Sequence, residues 1–270
     1  MAHLQSSSYG ESRLRMLRVL RHGDRHDPKD LTVALRLEGD TAERIPGEAI
    51  KNLVHRIARD EDHPAIEPLA LAMCARIVRE HPLVRLARVE IVEQPWARLE
   101  AGGKPQGQAF TPSGVERRTV AVTGNGTRIA VTAGLDNLVL LRTSGFAPSE
   151  RGRSSEEPAT DGLQRLLVAA LGARWSYGSG DIAFVPCRQG VRAAIVDTFA
   201  WHGGHTAHQT LTAIADVVLA SYQEIVELTL TLQERPYRPV DLLELSSDGD
   251  RLFVAYDEPV GTIEITVGRA

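Results

Sequence analysis

Apolar residues recur with two periods along this chain. Val33, Leu35 and Leu37 alternate with polar or small residues, as do Val89 and Ile91, and Val226, Leu228, Leu230 and Leu232. A period of two sends one face of a strand into a core. Elsewhere the apolar positions fall three and four apart. Ile50, Leu53, Val54, Ile57 and Ala58 fit one helix face, and Ile66, Leu69, Ala70, Met73, Cys74 and Ile77 fit another. Val191, Ala194, Ile195 and Phe199 make a third stripe, and Leu211, Ile214, Ala215, Val218 and Leu219 a fourth.

The order of these elements repeats. Residues 12 to 133 read as a strand pair, two helices and further strands, and residues 137 to 268 read the same way. A repeat of this size marks duplicated units, which places two of them at 9–135 and 136–270. Strands flanking a helix pair predict an α+β fold, with antiparallel sheets carrying helices on one face. The other face must then be covered, or meet water or a partner.

Composition narrows the setting more than the chemistry. Of 270 residues, 43% are apolar and 24% charged, the balance of a globular chain with a real core. A net charge of -4 gives no reason to expect nucleic acid or an anionic membrane as partner. No apolar run approaches the ~20 residues of a membrane helix, and the opening residues, Met1 to Ser8, lack the apolar stretch of a signal peptide. Cys74 and Cys187 lie far apart in apolar surroundings, so both are expected as buried free thiols in a reducing, cytoplasmic setting.

Few motifs carry chemistry by themselves. His202, His205 and His208 recur every third residue, a spacing that holds a metal only if the backbone curls. Gly203 and Gly204 argue against a regular helix there, and no nearby Cys or Glu completes a ligand set. No metal site is expected; the segment reads as a polar loop running into a helix cap. Arg21-His22-Gly23-Asp24-Arg25-His26-Asp27-Pro28 reads as a solvated turn between strands, and Gly124-Asn125-Gly126 as a hairpin turn. Residues 145–160, rich in Ser, Glu, Pro and Arg, read as mobile surface. There is no phosphate-binding glycine loop and no nucleophile elbow.

Several blocks in order carry a resemblance. They are Tyr9-Gly10-Glu11-Ser12-Arg13-Leu14-Arg15, Leu37-Glu38-Gly39-Asp40, and Ala49-Ile50-Lys51-Asn52. The stretch 89–118 follows, with Pro95-Trp96, Gly103-Lys104-Pro105, Ala109-Phe110 and Glu116-Arg117-Arg118. Leu138-Val139-Leu140-Leu141-Arg142-Thr143 and the closing Asp257-Glu258-Pro259-Val260-Gly261-Thr262-Ile263-Glu264 complete the set. Together they resemble the urate oxidase (uricase) family over nearly the whole chain. The resemblance implies the tunnelling fold, or T-fold, in tandem: two antiparallel ββααββ repeats. It also implies a homotetramer around a tunnel, with sites at subunit interfaces.

That family oxidises urate directly with O2 to 5-hydroxyisourate, with no metal and no organic cofactor. A Lys–Thr pair and a nearby His handle protons and water. An Arg and a Gln grip the heterocycle, and a Phe stacks on its face. Placed on this chain, the Lys falls on Glu11, the Thr on Gly47 and the His on Pro236. The Asn two residues before that His becomes Glu234, and the Gln falls on His208. The Phe falls on Pro148, or on Phe146 if the loop shifts by two, and the family's acidic-aromatic stretch becomes Arg151-Gly152-Arg153-Ser154-Ser155-Glu156. The gripping Arg is matched by Arg165.

Lys to Glu reverses a charge, Gly has no hydroxyl, and Pro has neither ring nitrogen nor backbone N–H. The chain is therefore expected to bind a small planar heterocycle at a subunit interface without oxidising urate by the family mechanism. Two alternatives stay open. In one, Glu11, Glu48, Glu234, Arg165, Arg235 and His208 form a new acid–base set of a cofactor-independent oxidase or other enzyme acting on another heterocycle. In the other, Lys29 or Lys51 restores a working urate oxidase. A mixed oligomer with an active relative is a further reading.

Overall fold

Alternating apolar residues and a two-residue turn build the first hairpin. β1 (Ser8–His22) and β2 (Arg25–Gly39) pair antiparallel down to His22 opposite Arg25. The run expected as a turn is thus mostly strand, and only Gly23 and Asp24 turn the chain. Gly23 makes this possible, since its φ of +61° suits a residue without a Cβ. The computed structural model describes residues 7–39, 44–143, 166–178, 182–203, 206–239, 252–255 and 261–269. The chain divides into two units, Met1–Asp136 with Arg174–Pro186, and Asn137–Ala173 with Cys187–Ala270.

In the first unit, α1 (Gly47–Asp60) and α2 (Ile66–Glu80) follow β2, and β3 (Val84–Gln94) returns beside it. Val33 lies opposite Ile91 and Leu35 opposite Val89, so the alternation of both strands faces one way. All four are buried, with both predicted helix stripes. Burying one such side chain contributes about 1.5–3 kcal/mol. β4 (Trp96–Ala101) and β5 (Lys104–Pro112) form a separate hairpin before β6 (Arg117–Gly124) rejoins the sheet. β7 (Ile129–Arg142) pairs with β6 across the predicted turn, where Asn125 Oδ1 accepts from the amides of Thr127 and Arg128 at 3.1 and 2.8 Å. The sheet order in this unit is β1-β2-β3-β6-β7.

The second half of the chain repeats the plan with β8 (Leu167–Tyr177), α3 (Phe184–Trp201), α4 (Ala207–Ser221), β9 (Ile225–Arg235) and β12 (Thr262–Gly268). A small hairpin, β10 (Tyr237–Pro239) with β11 (Phe253–Ala255), again stands between the last two sheet strands. Val191, Ile195 and Phe199 of α3 are buried, as is the whole α4 stripe. Thr206 and Gln209 close the start of α4 as a capping box.

One predicted core position is wrong. Leu228, Leu230 and Leu232 are buried, but Val226 is exposed. The β9–β12 ladder starts only at Glu227, and Ile225 takes the buried place where the chain leaves the turn after α4. Both cysteines are buried and neither forms a disulfide among the described residues, and burial pushes the Cys74 thiol up. Among the described residues no helix is long and apolar enough to cross a membrane.

Candidate functional site

The opening of β1 changes phase. Tyr9 pairs with Leu37 and Glu11 with Leu35, but the next pair is Leu14 with Val33. The ladder slips by one residue at Ser12 and Arg13, and Arg13 has a φ of 59°. A β-bulge of this kind inserts a residue and re-aims its neighbours. Here it puts Tyr9, Glu11 and Leu14 on one face, the face of the buried Leu35 and Val33 that packs on α1 and α2.

Glu11 therefore reaches the start of α1. A Cβ added to Gly47 would collide with Glu11 Oε1, so the carboxylate fills the space a side chain would take. Pro46 gives α1 no side-chain cap, which leaves the helix's positive end toward this carboxylate. Tyr9 lies alongside: its hydroxyl accepts from the Ile45 amide at 3.4 Å, and the Arg44 guanidinium stands 5.7 Å from its ring centre. A cleft of about 580 Å³ is lined by Tyr9, Glu11, Ser12, Arg36, Arg88 and Glu90 among others; Arg36, Arg88 and Glu90 alternate with the buried Leu35 and Val89, so it lies on the sheet face away from α1.

The structure thus brings two predicted site positions, Glu11 and Gly47, into contact. Neither candidate lysine joins them through a hydrogen bond or ion pair among the described residues. Lys51, a helical turn beyond Gly47, lies 3.5 Å from Glu48. Lys29 is six positions along β2 from Leu35, about 20 Å at strand rise, and pairs with Glu93 at 3.2 Å.

Four more predicted positions lie in the second unit. Glu234, near the end of β9, is half-buried; its amide donates to the Gly261 carbonyl at 3.0 Å, and desolvation raises its carboxyl above the ordinary range. Arg235 donates to Asn137 Oδ1 at 3.2 Å, and Pro236 follows, half-buried. His208 sits exposed in the first turn of α4, its carbonyl accepting from Thr212 Oγ1 at 3.0 Å. No hydrogen bond or ion pair joins His208 to Glu234 among the described residues. Arg165, Phe146, Pro148 and the 151–156 run lie outside those residues.

The histidine segment runs into a helix cap, as read from sequence. His202 Nδ1 lies 3.1 Å from Thr210 Oγ1, and His205 is outside the described residues. Among the described residues no group of three His, Cys, Asp or Glu side chains could hold a metal ion. Sequence reasoning missed buried Glu93, held by Lys29 and Arg118. Its signal was present, because Glu93 continues the inward parity of Val89 and Ile91.

The family described as Uricase matches residues 8–123 and 131–264 of the chain. The uricase of Danio rerio is 26% identical over 281 residues, covering 97% of this chain and 94% of that one. The uricase of Arthrobacter globiformis is 26% identical over 276 residues, covering 98% and 90%. The crystal structure of the Arthrobacter globiformis uricase matches with a TM-score of 0.87 and 26% identity, over 100% of this chain and 96% of that one. The architecture held in common is the tunnelling fold, a tandem of antiparallel α+β repeats.

Proposed function

This chain belongs to the uricase family, and on that premise we propose that it is a diverged member that binds a small planar heterocycle without oxidising urate by the family mechanism. One observation carries the reading: the Glu11 carboxylate packs against Gly47. Where the family's chemistry calls for an ammonium and a hydroxyl beside a urate anion, this chain offers a carboxylate and no hydroxyl. Two like charges about 4 Å apart repel by about 4 kcal/mol at an effective dielectric of about 20. That is close to a thousandfold against an anionic ligand, so the ligand class is neutral or cationic. Groups that act as a unit do not fail by degrees, and loss of several leaves little of the original rate.

The assembly proposed with this reading is a homotetramer with the site at a subunit interface. A mixed oligomer with an active relative would also complete such a site. Two buried cysteines outside any disulfide fit a reducing, cytoplasmic setting. Neither metal nor organic cofactor is called for, and O2 is co-substrate only if the chain is active.

The test is urate consumption, followed by loss of its ultraviolet absorbance in air-saturated buffer with protein shown to be folded. No consumption above buffer supports the proposal, with thermal-shift screening of neutral and cationic heterocycles to follow. Clear turnover overturns it. A second reading, a cofactor-independent oxidase or other enzyme with a changed substrate, is favoured by Glu234. Burial holds this carboxyl nearer neutrality than an ordinary glutamate, as a general acid–base group requires. Oxygen uptake with a heterocycle other than urate, lost in Glu234→Gln, would favour it.

A further inference from the structure

A second cavity lies in the first unit, beside the β4–β5 hairpin and far along β2 from Glu11. Its volume is about 150 Å³, the size of a cavity that takes up benzene. Glu93 forms its buried floor at 3% exposure. One carboxylate oxygen accepts from Lys29 Nζ and the other from Arg118 Nη1, each at 3.2 Å. One negative charge therefore holds two cations. Arg98 enters from β4 and is already matched: it donates to the Asp27 carboxylate and to the carbonyls of His26, Gln106 and Gly107. Arg18, opposite Lys29 in the ladder, is matched by Asp62 at 3.6 Å. The lining is left with one positive charge more than its carboxylates balance.

The walls are flat and partly apolar. Trp96 and Phe110 contribute rings, and the Arg98 guanidinium stands 5.0 Å from the centre of Phe110. Trp96 Nε1 is buried and finds no acceptor among the described residues. A buried N–H without an acceptor is unfavourable, and so is a surplus charge on side chains that are only partly exposed. One ligand relieves both if it carries a single negative charge and an acceptor oxygen on a flat body.

We propose that this cavity binds a small planar monoanion of the carboxylate class, with Lys29 and Arg118 supplying the charge, Trp96 a hydrogen bond and Phe110 a face. Glu93 serves as the positioning residue that holds the two cations at the cavity.

The experiment titrates the full chain with sodium benzoate, read by thermal shift and by tryptophan fluorescence in a Trp201→Phe background. Sodium chloride at matched ionic strength and benzamide, the neutral isostere, are the controls. Saturable binding of benzoate is expected, about tenfold or more tighter than benzamide, from loss of one charge-assisted contact. Lys29→Met and Arg118→Leu each remove the surplus charge while leaving Glu93 one cation, and each weakens benzoate by about tenfold. Trp96→Phe weakens it severalfold without touching any charge, which keeps the test sound if a charge variant fails to fold. Glu11→Gln leaves it unchanged, which separates this site from the one at Gly47. No saturable response, an equal response to benzamide, or binding indifferent to Lys29→Met, Arg118→Leu and Trp96→Phe overturns the proposal.

Discussion

Glu11 and Glu93 are two carboxylates on the same face of one sheet, and their surroundings differ in almost every respect. Glu93 is 3% exposed and has a cation on each oxygen. Glu11 is half-buried, has no ion pair among the described residues, and lies against a glycine at the start of a helix. A charge taken out of water must be matched, and Glu93 is. Glu11 keeps water access and an unmatched charge, which is the condition of a group free to meet a ligand. Residue type does not separate these roles; the partners do.

The largest effect should come from the matched carboxylate. Glu93→Ala leaves Lys29 and Arg118 facing each other and should lower stability by about 3 kcal/mol, measured by urea unfolding. Glu11→Ala should change stability by no more than about 1 kcal/mol, the size of a helix-end charge effect. The reverse ranking would break the comparison. Next, Gly47→Thr should cost about 1–2 kcal/mol alone and much less in a Glu11→Ala background, because the new side chain meets the carboxylate tip. Strict additivity in that cycle would mean the two positions do not touch.

A smaller effect separates a cap from a site group. Thr206→Ala removes the capping box of α4 and should cost about 1 kcal/mol. If Glu11→Ala matches that cost, Glu11 is chiefly the cap of α1. The smallest effect is a slope with pH. Burial raises the Glu234 carboxyl above its ordinary value of about 4.5. Between the ordinary and the raised value the folded chain holds a proton that the unfolded chain has released. Stability should therefore fall as pH rises through that window. Urea midpoints across that range should be flatter in Glu234→Gln, and an unchanged slope would remove Glu234 as the cause.

Much of the frame was legible because periodicity reports burial. The helix stripes, except for the half-buried Ala194 of the third, the alternation of Val33, Leu35 and Leu37, and the doubled order of elements agree with the structure. Two failures have local causes. Val226 has the parity of Leu228, but the burial phase changes at the start of β9, where Ile225 is buried and Val226 and Glu227 are exposed. The bulge at Ser12 and Arg13 is invisible to a strict period of two, since the inserted residue shifts the phase. Of the site, the meeting of Glu11 with Gly47 depends on that bulge and on where α1 begins. Neither is written in residue spacing. Family resemblance named both positions, and the geometry then brought them into contact. The cluster around Glu93 joins β2, β3, β4 and β6, long-range neighbours that only the ladder makes adjacent.

The extra residue in β1 divides the strand into two reading frames. Upstream, the odd-numbered Tyr9 and Glu11 face the start of α1; downstream, the even-numbered Leu14 and Leu20 face the core. Removing Ser12 would join the frames into one regular ladder, in which Glu11 and Leu14, then two positions apart, still share a face. The same division works over evolutionary time. Selection can reverse the charge at position 11 with no repacking demanded at position 14, so the fold can be inherited intact while its chemistry is replaced.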